Sequence, residues 1–432
     1  MIVTPEILNL PPDWQAVRAS EHLTLESGQR PSQFVTDDPR DVPSWGGENI
    51  TDDGFITLEN QRFISREYFR AKGKGKVQVG DILVNKDGAN TGKLAFVDSL
   101  PVDEVSVNEH VFIVRNKGEF DQRFLFEFLR SYLGQKQIKA LIIGSAQPGI
   151  NTRFTKHILL PKSEIDEQRR IGCLFVEIDL AITATRESIA KAERLQKGLM
   201  QQLLTGRLKP DGTPRRKDEF QETKLGLLPM DWTAARVKEF GEVSTGKTPP
   251  TANETNFGGD YQFITPGDMG ETKWIRKTER SLSALGSEHA GVLPVKAVCV
   301  VCIGATIGKI GLTVRPACTN QQINTVVCSD KHSPEYLYYA LRHRSQHLLA
   351  IAGVNATPQL NKSEFSKYRL PMPATPDEEK AIGQKLTVFD DLIEAKQTKI
   401  AALQRLKKSL MQNLLTGRIR LPVKGAAQGA KP

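Results

Sequence analysis

The chain of 432 residues carries 59 Lys and Arg against 50 Asp and Glu, a formal charge of +9, a modest excess that suits a nucleic-acid partner. With 39% hydrophobic and 25% charged residues, it buries real cores, and its length points to two or three domains. Five cysteines, no leader-like pattern in MIVTPEILNLPPDW and no run of about 18 apolar residues exclude a disulfide scaffold and a helical membrane protein; the expectation is a cytoplasmic chain with free thiols.

In chain order, residues 1–163 read as a first globular domain. Short apolar runs bounded by Gly, Pro, Asn and Asp, such as DILVN at Asp81–Asn85 and the run Val111–Val114, predict strands, and a helix follows near Gln122–Gly134. Residues 164–206 form a long amphipathic helix. The stretch 207–225 (beginning RLKPDGTPRRKDEF) lacks apolar periodicity and reads as a linker. A second domain spans 226–373, with strands at Ala297–Ile303 and Ile323–Val327 and a helix near Pro334–Ala350. A second long helix covers 374–418, and 419–432 is expected to be a disordered tail.

The chain is written twice. LLTGR occurs at Leu203–Arg207 and at Leu414–Arg418, an offset of 211. NEHV at 108–111 aligns with NQQI at 320–323 at an offset of 212, GANTGK at 88–93 with GATIGK at 304–309 at 216, and LPPDW at 10–14 with LPMDW at 228–232 at 218. One unit of about 210 residues has been duplicated and has diverged.

In the first long helix the apolar positions run Ile171, Leu174, Ile178, Ile182, Ile189, Ala192, Leu195, Leu199 and Leu203. The second repeats them as Ile382, Leu386, Phe389, Ile393, Ile400, Leu403, Leu406, Leu410 and Leu414. Spacings of three and four make a narrow coiled-coil stripe, broken in both copies by Thr185 and Lys396, a polar layer suited to fixing register. Asp166 and Asp377 suit the helix starts, and Gly206 and Gly417 the left-handed caps. So narrow a stripe needs a partner helix; each helix packing on its own domain is the alternative. The fold class is thus α+β: two similar mixed α/β domains alternating with two long helices that pair as an antiparallel coiled coil, with a pseudo-twofold internal duplication. From Ile171 to Leu204 is a rod of about 50 Å at 1.5 Å per residue, long enough to hold two heads roughly one duplex turn apart.

With this order of parts, the LLTGR endings, STGKTPP at 244–250, FITPGDM at 263–269, GATIGK and NQQIN at 320–324, the sequence resembles the specificity subunit of type I restriction-modification systems over nearly its full length. That resemblance implies two target-recognition domains, each reading one part of a split DNA site, and helices that dock two methyltransferase subunits. Those subunits bring S-adenosylmethionine, and a separate translocase-nuclease subunit brings ATP. This chain is expected to hold no cofactor and no metal and to catalyse nothing. The first half departs from the pattern, with NEH for NQQ and no obvious TGKTPP in its early loop.

Candidate DNA contacts follow from residue chemistry. Gln and Asn side chains bond adenine N6 and N7 in the major groove, which points to Gln321 and Gln322 and, at the matching turn, Glu109 and His110. Because the Asn recurs at 108 and 320 while its neighbours vary, the Asn reads as structural and the neighbours as nearer DNA. Lys93 and Lys309 end matching glycine turns, with Lys86, Asn90, Thr91 and Thr306 beside them, where a phosphate contact competes with a merely solvated lysine. Lys247, Thr248, Thr265 and Asp268 complete the set from the loops of the second domain.

Other chemistries fit less well. GEVSTGKT at 241–248 matches the phosphate-loop pattern, but Pro249–Pro250 disfavours the helix that must follow. Cys299 and Cys302 form CxxC inside AVCVVCI, where a spacing of three sends them to opposite faces of a strand; they read as core residues rather than zinc ligands. No methyltransferase Asn/Asp-Pro-Pro-aromatic motif appears. PDEEK at 376–380, which tempts a nuclease reading, opens a helix. A fused enzyme and a coiled-coil scaffold without DNA binding stand as the competing functions.

Overall fold

The computed structural model describes residues 8–30, 35–144, 148–270, 272–353 and 358–421. They divide into two compact units, one made of residues 1–184 and 400–432, the other of 185–399.

The first unit holds a head built on strands β1 (Leu23–Ser27), β2 (Ile82–Asn85), β3 (Leu94–Phe96) and β4 (Val111–Asn116), in the order β1-β4-β2-β3. The central strands carry continuous apolar runs because both faces are covered. Ile82 and Val84 pack with Phe124 and Phe128, whereas Leu83 and Ile113 face Trp45 and Val107. That opposite face belongs to a second four-stranded sheet formed by 35–36, 62–64, 42–45 and 106–107.

The expected helix over 122–134 is two helices, α1 (Gln122–Arg130) and α2 (Tyr132–Lys139). Ser131 divides them: its backbone is extended, and its hydroxyl donates to the Phe128 carbonyl and accepts from the Gly134 N–H, a capping arrangement that starts the second helix. The long helix α3 runs Ile165–Leu204.

In the second unit, residues 220–223 and 226–229 pair as an antiparallel hairpin, so the end of the stretch read as a linker, 207–225, carries a strand. The head repeats the first in β5 (Gly241–Thr245), β6 (Trp274–Ile275), β7 (Val298–Val301), β8 (Ile310–Thr313) and β9 (Ile323–Cys328), in the order β5-β9-β7-β8-β6. Cys299 and Cys302 lie in different core clusters on either side of this sheet. The helix expected near Pro334–Ala350 is again broken, into α4 (Pro334–His343) and α5 (Ser345–Ile351). The second long helix, α6, spans Pro376–Leu414.

Each unit receives one part of α3 and one part of α6, and within a unit the two segments run in opposite directions. In the first unit Lys407 on α6 bonds Asp179 on α3 at 2.8 Å, and Arg420 beyond α6 bonds Glu167 at the start of α3. In the second unit Gln196 on α3 bonds Asp390 on α6 at 2.6 Å. The seam departs from the sequence stripe here. Leu195 and Leu406 are 64% and 48% exposed, while their neighbours Gln196 and Lys407 are buried. The helical carboxylates draw the polar residues inward, because a buried charge without a partner costs more than an exposed leucine.

The two repeated motifs meet each other. In the first unit Gly417 (φ 68°) lies so close to Pro11 that a Cβ there would be 2.7 Å from its Cγ. In the second, a Cβ on Gly206 (φ 68°) would be 2.3 Å from the Pro229 Cγ. The LLTGR glycine is therefore a left-handed cap against which LPPDW or LPMDW seats. The Trp of each motif donates through Nε1 at 3.2 Å to a glutamate at a long-helix start, Trp14 to Glu167 and Trp232 to Glu378. Arg420 and Arg215 bond the same two glutamates. The anchoring of Arg420 corrects the expected disorder at the beginning of 419–432; residues 422–432 of that tail lie outside the described ones.

Candidate nucleic-acid interface

In each head one strand leads into a loop that crosses the turn before the central strand. β1 ends at Ser27, and Gly28 passes so near that turn that a Cβ would lie 1.8 Å from the Asn108 carbonyl oxygen. β5 ends at Thr245, and at Gly246 a Cβ would lie 2.3 Å from the Asn320 carbonyl oxygen. Only glycine permits so close an approach.

The two asparagines hold the turns. Asn108 Oδ1 accepts from the His110 N–H at 2.9 Å, and Asn320 Oδ1 from the Gln322 N–H at 3.1 Å, a local side-chain turn that replaces a backbone bond. This is the structural role expected for Asn, and it fixes where the next two side chains start.

In the first head Glu109 accepts from Arg30 Nε at 2.8 Å. His110 Nδ1 lies 2.6 Å from Asp87, and its Nε2 lies 3.5 Å from Glu109. Burial raises the Glu109 carboxyl, but the Arg30 bond, a backbone N–H and the adjacent His110 outweigh it and hold it below the usual range. Lys86 is half-buried, with its ammonium 5.5 Å from the Phe112 ring. Arg30 and Asp87 were not among the sequence-derived candidates. The offset of 218 that aligns LPPDW with LPMDW also aligns Arg30 with Thr248, and that was the available signal.

In the second head Thr248 donates to Gln321 Oε1 at 2.5 Å, and both residues are exposed. Asn320 Nδ2 donates to Gln322 Oε1 at 2.9 Å. Lys247 and Thr306 are exposed. Lys309 reaches the Pro266 carbonyl at 3.3 Å, with its stem against Gly270.

Five candidates are engaged by other parts of the protein. Thr91 donates to the Gly88 carbonyl at 2.6 Å, and Asn90 to the Gly47 carbonyl at 3.4 Å. Thr265 donates through both its N–H and its hydroxyl to Asp268, whose other oxygen accepts from the Glu279 N–H. Lys93 pairs with Asp52 at 2.7 Å.

The interface thus presents hydrogen-bonding side chains on rigid turns. Among the described residues no group of three or more His, Cys, Asp and Glu is arranged to hold a metal. Burial pushes the Cys299, Cys302 and Cys328 thiols up to about 12. The segment 241–248 is a strand and a loop with no helix after it, unlike a phosphate loop. No helix among the described residues is long and apolar enough to cross a membrane.

The family described as "Type I restriction modification DNA specificity domain" matches residues 11–194 and again 229–405. The chain is 32% identical over 205 residues to the type I restriction enzyme MjaIX specificity subunit of Methanocaldococcus jannaschii, an alignment spanning 46% of this chain and 47% of that subunit. It is 22% identical over 431 residues to the putative MjaX specificity subunit of the same organism, covering 96% of each. Among solved structures, the S subunit of a type I system from M. genitalium matches with a TM-score of 0.63 at 13% identity, covering 94% of this chain and 96% of that one.

Proposed function

The chain belongs to the type I restriction-modification DNA specificity family, and from that premise we propose that it is a non-catalytic subunit reading a bipartite, asymmetric DNA site. One observation carries this reading: two heads share the same glycine-and-asparagine turn yet present different side chains on it, Glu109 and His110 in one and Gln321 and Gln322 in the other. A common scaffold with unlike tips is what a chain needs to read two different half-sites, whereas a homodimer of identical heads would impose a palindrome.

Base contacts are assigned to the tips that carry Glu109, His110, Gln321 and Gln322, with Thr248 beside Gln321, and backbone contacts to Lys86, Lys93, Lys247, Thr306 and Lys309. Asn90, Thr91, Thr265 and Asp268 shape the loops that carry them. The long helices act as an antiparallel coiled-coil ruler with pseudo-twofold symmetry, and outward residues such as Leu180, Leu195, Val388 and Leu406 supply apolar surface on which methyltransferase subunits dock. Those subunits would supply S-adenosylmethionine and a separate translocase-nuclease subunit ATP, all in the cytoplasm.

The test is selection from a randomised duplex pool by the purified chain with its methyltransferase partner, at fixed salt because phosphate contacts alone bind every sequence. Enrichment of a split motif supports the reading. Indifference to sequence favours a scaffold, and methyl transfer or cleavage by this chain alone favours a fused enzyme.

A further inference from the structure

Arg30 and Thr248 occupy the same place in the two heads. Each lies three residues beyond the end of the strand that enters the loop, just past the glycine that crosses the turn. Each meets the residue that follows the turn asparagine: Arg30 Nε donates to Glu109 at 2.8 Å, and the Thr248 hydroxyl donates to Gln321 at 2.5 Å. The geometry of contact is repeated and its chemistry is changed. Residues that only fold the loop have no reason to differ this way, since Gly28 and Gly246, Asn108 and Asn320 stay the same.

The chemistry of each pair selects a base. With Nε held by Glu109, the two terminal nitrogens of Arg30 have no protein acceptor among the described residues, and the Arg30 side chain is 74% exposed. Two parallel donors match the O6 and N7 acceptors of guanine. In the second head the Thr248 hydroxyl donates to one lone pair of Gln321 Oε1 and holds the side chain in place. The remaining lone pair and the Nε2 donor match N6 and N7 of adenine.

We propose that Arg30 and Gln321 are the specificity-determining residues of their heads, aimed by Glu109 and Thr248 from opposite sides of the same loop-to-turn contact, with Arg30 reading a guanine and Gln321 an adenine. This rests on the reading of the chain as a DNA-recognition subunit.

The experiment maps methylated bases in DNA treated with the full methyltransferase complex carrying wild-type chain, Arg30→Ala, Glu109→Ala, or Arg30→Thr with Glu109→Gln. Arg30→Ala should relax one guanine of one half-site, with discrimination there falling roughly 10- to 100-fold, and leave the other half-site unchanged. Glu109→Ala should relax the same base to a smaller extent, and the double variant should lose the guanine preference in favour of adenine. Arg30 is exposed, so the Arg30→Ala complex should melt as wild type does. An unchanged motif in Arg30→Ala, or an equal loss of affinity for every sequence, overturns the proposal. A wild-type complex with no motif at all overturns instead the DNA-reading function on which it rests.

Discussion

Replacing Lys407 by Met keeps the length of its stem and removes one charge from a buried network. Its ammonium lies 2.8 Å from both Asp179 oxygens and 3.2 Å from Glu127. Arg123 bonds the same two carboxylates, at 2.5 Å to Asp179 and 3.2 Å to Glu127, beside the rings of Phe96 and Phe126. Side-chain exposure is 10% at Lys407, 12% at Asp179 and zero at Glu127. Asp98, 55% exposed, reaches Arg123 from the solvent side at 3.3 Å, and Lys407→Met leaves the two buried carboxylates facing one guanidinium. Removing one partner of a buried ion pair costs about 3–5 kcal/mol, or roughly 6–20 °C in melting temperature for a unit of this size.

Calorimetry across pH 6–8 reads the effect, with Lys407→Met plus Asp179→Asn as the balanced control. That control should recover to within about 2 kcal/mol of wild type, because one buried cation, Arg123, again faces one buried carboxylate, Glu127. A Lys407→Met chain that melts within about 1 kcal/mol of wild type, or a double variant worse than either single change, would refute the reasoning. At the equivalent site of the second unit Gln196→Leu should cost less, about 2 kcal/mol, since a neutral donor is lost and Asp390 keeps Tyr339 and Arg342.

Gly206→Ala and Gly417→Ala should each destabilise by roughly 1–3 kcal/mol in urea titration, combining the left-handed backbone cost with the close prolines; a neutral outcome would contradict the cap. Burial holds the Lys273 ammonium at about 8 rather than 10.5. The unfolded chain therefore binds more protons between those values, so this residue's contribution to stability rises with pH across that window. The stability of wild type relative to Lys273→Met should grow from pH 7.5 to 10.5, and a flat or falling difference would be inconsistent with a desolvated ammonium. Lengthening the Ile171–Leu204 segment by whole helical turns should change the gap between half-sites without changing the bases read, and an unchanged gap would exclude the ruler.

The duplication was legible because both copies keep their chain-reversing residues at near-constant offsets, so that LLTGR, LPxDW and the glycine turns align by inspection. The core strands were legible as continuous apolar runs, which sheets covered on both faces require. The helix break in the first head was not, because a single serine hydroxyl at Ser131 starts a new helix without disturbing the apolar period. The hairpin at 220–229 was hidden by its polar strand, QET, whose pairing depends on the Lys224–Leu225 turn and on Gly226 at φ 87°. The seam was misplaced by one residue at Leu195 and Leu406, since hydrophobicity alone cannot report that Asp179 and Asp390 sit opposite and demand a donor. At the interface the turn residues were found by repetition, but Arg30 was not: it repeats as Thr248, and a repeat search keeps only what has stayed alike.

The most direct measurement is a map of methylated positions in the genome of cells carrying this chain with its methyltransferase. Two unlike heads on one polypeptide predict a split motif with two different half-sites and one fixed gap. A continuous motif, or a palindromic one, would contradict the account.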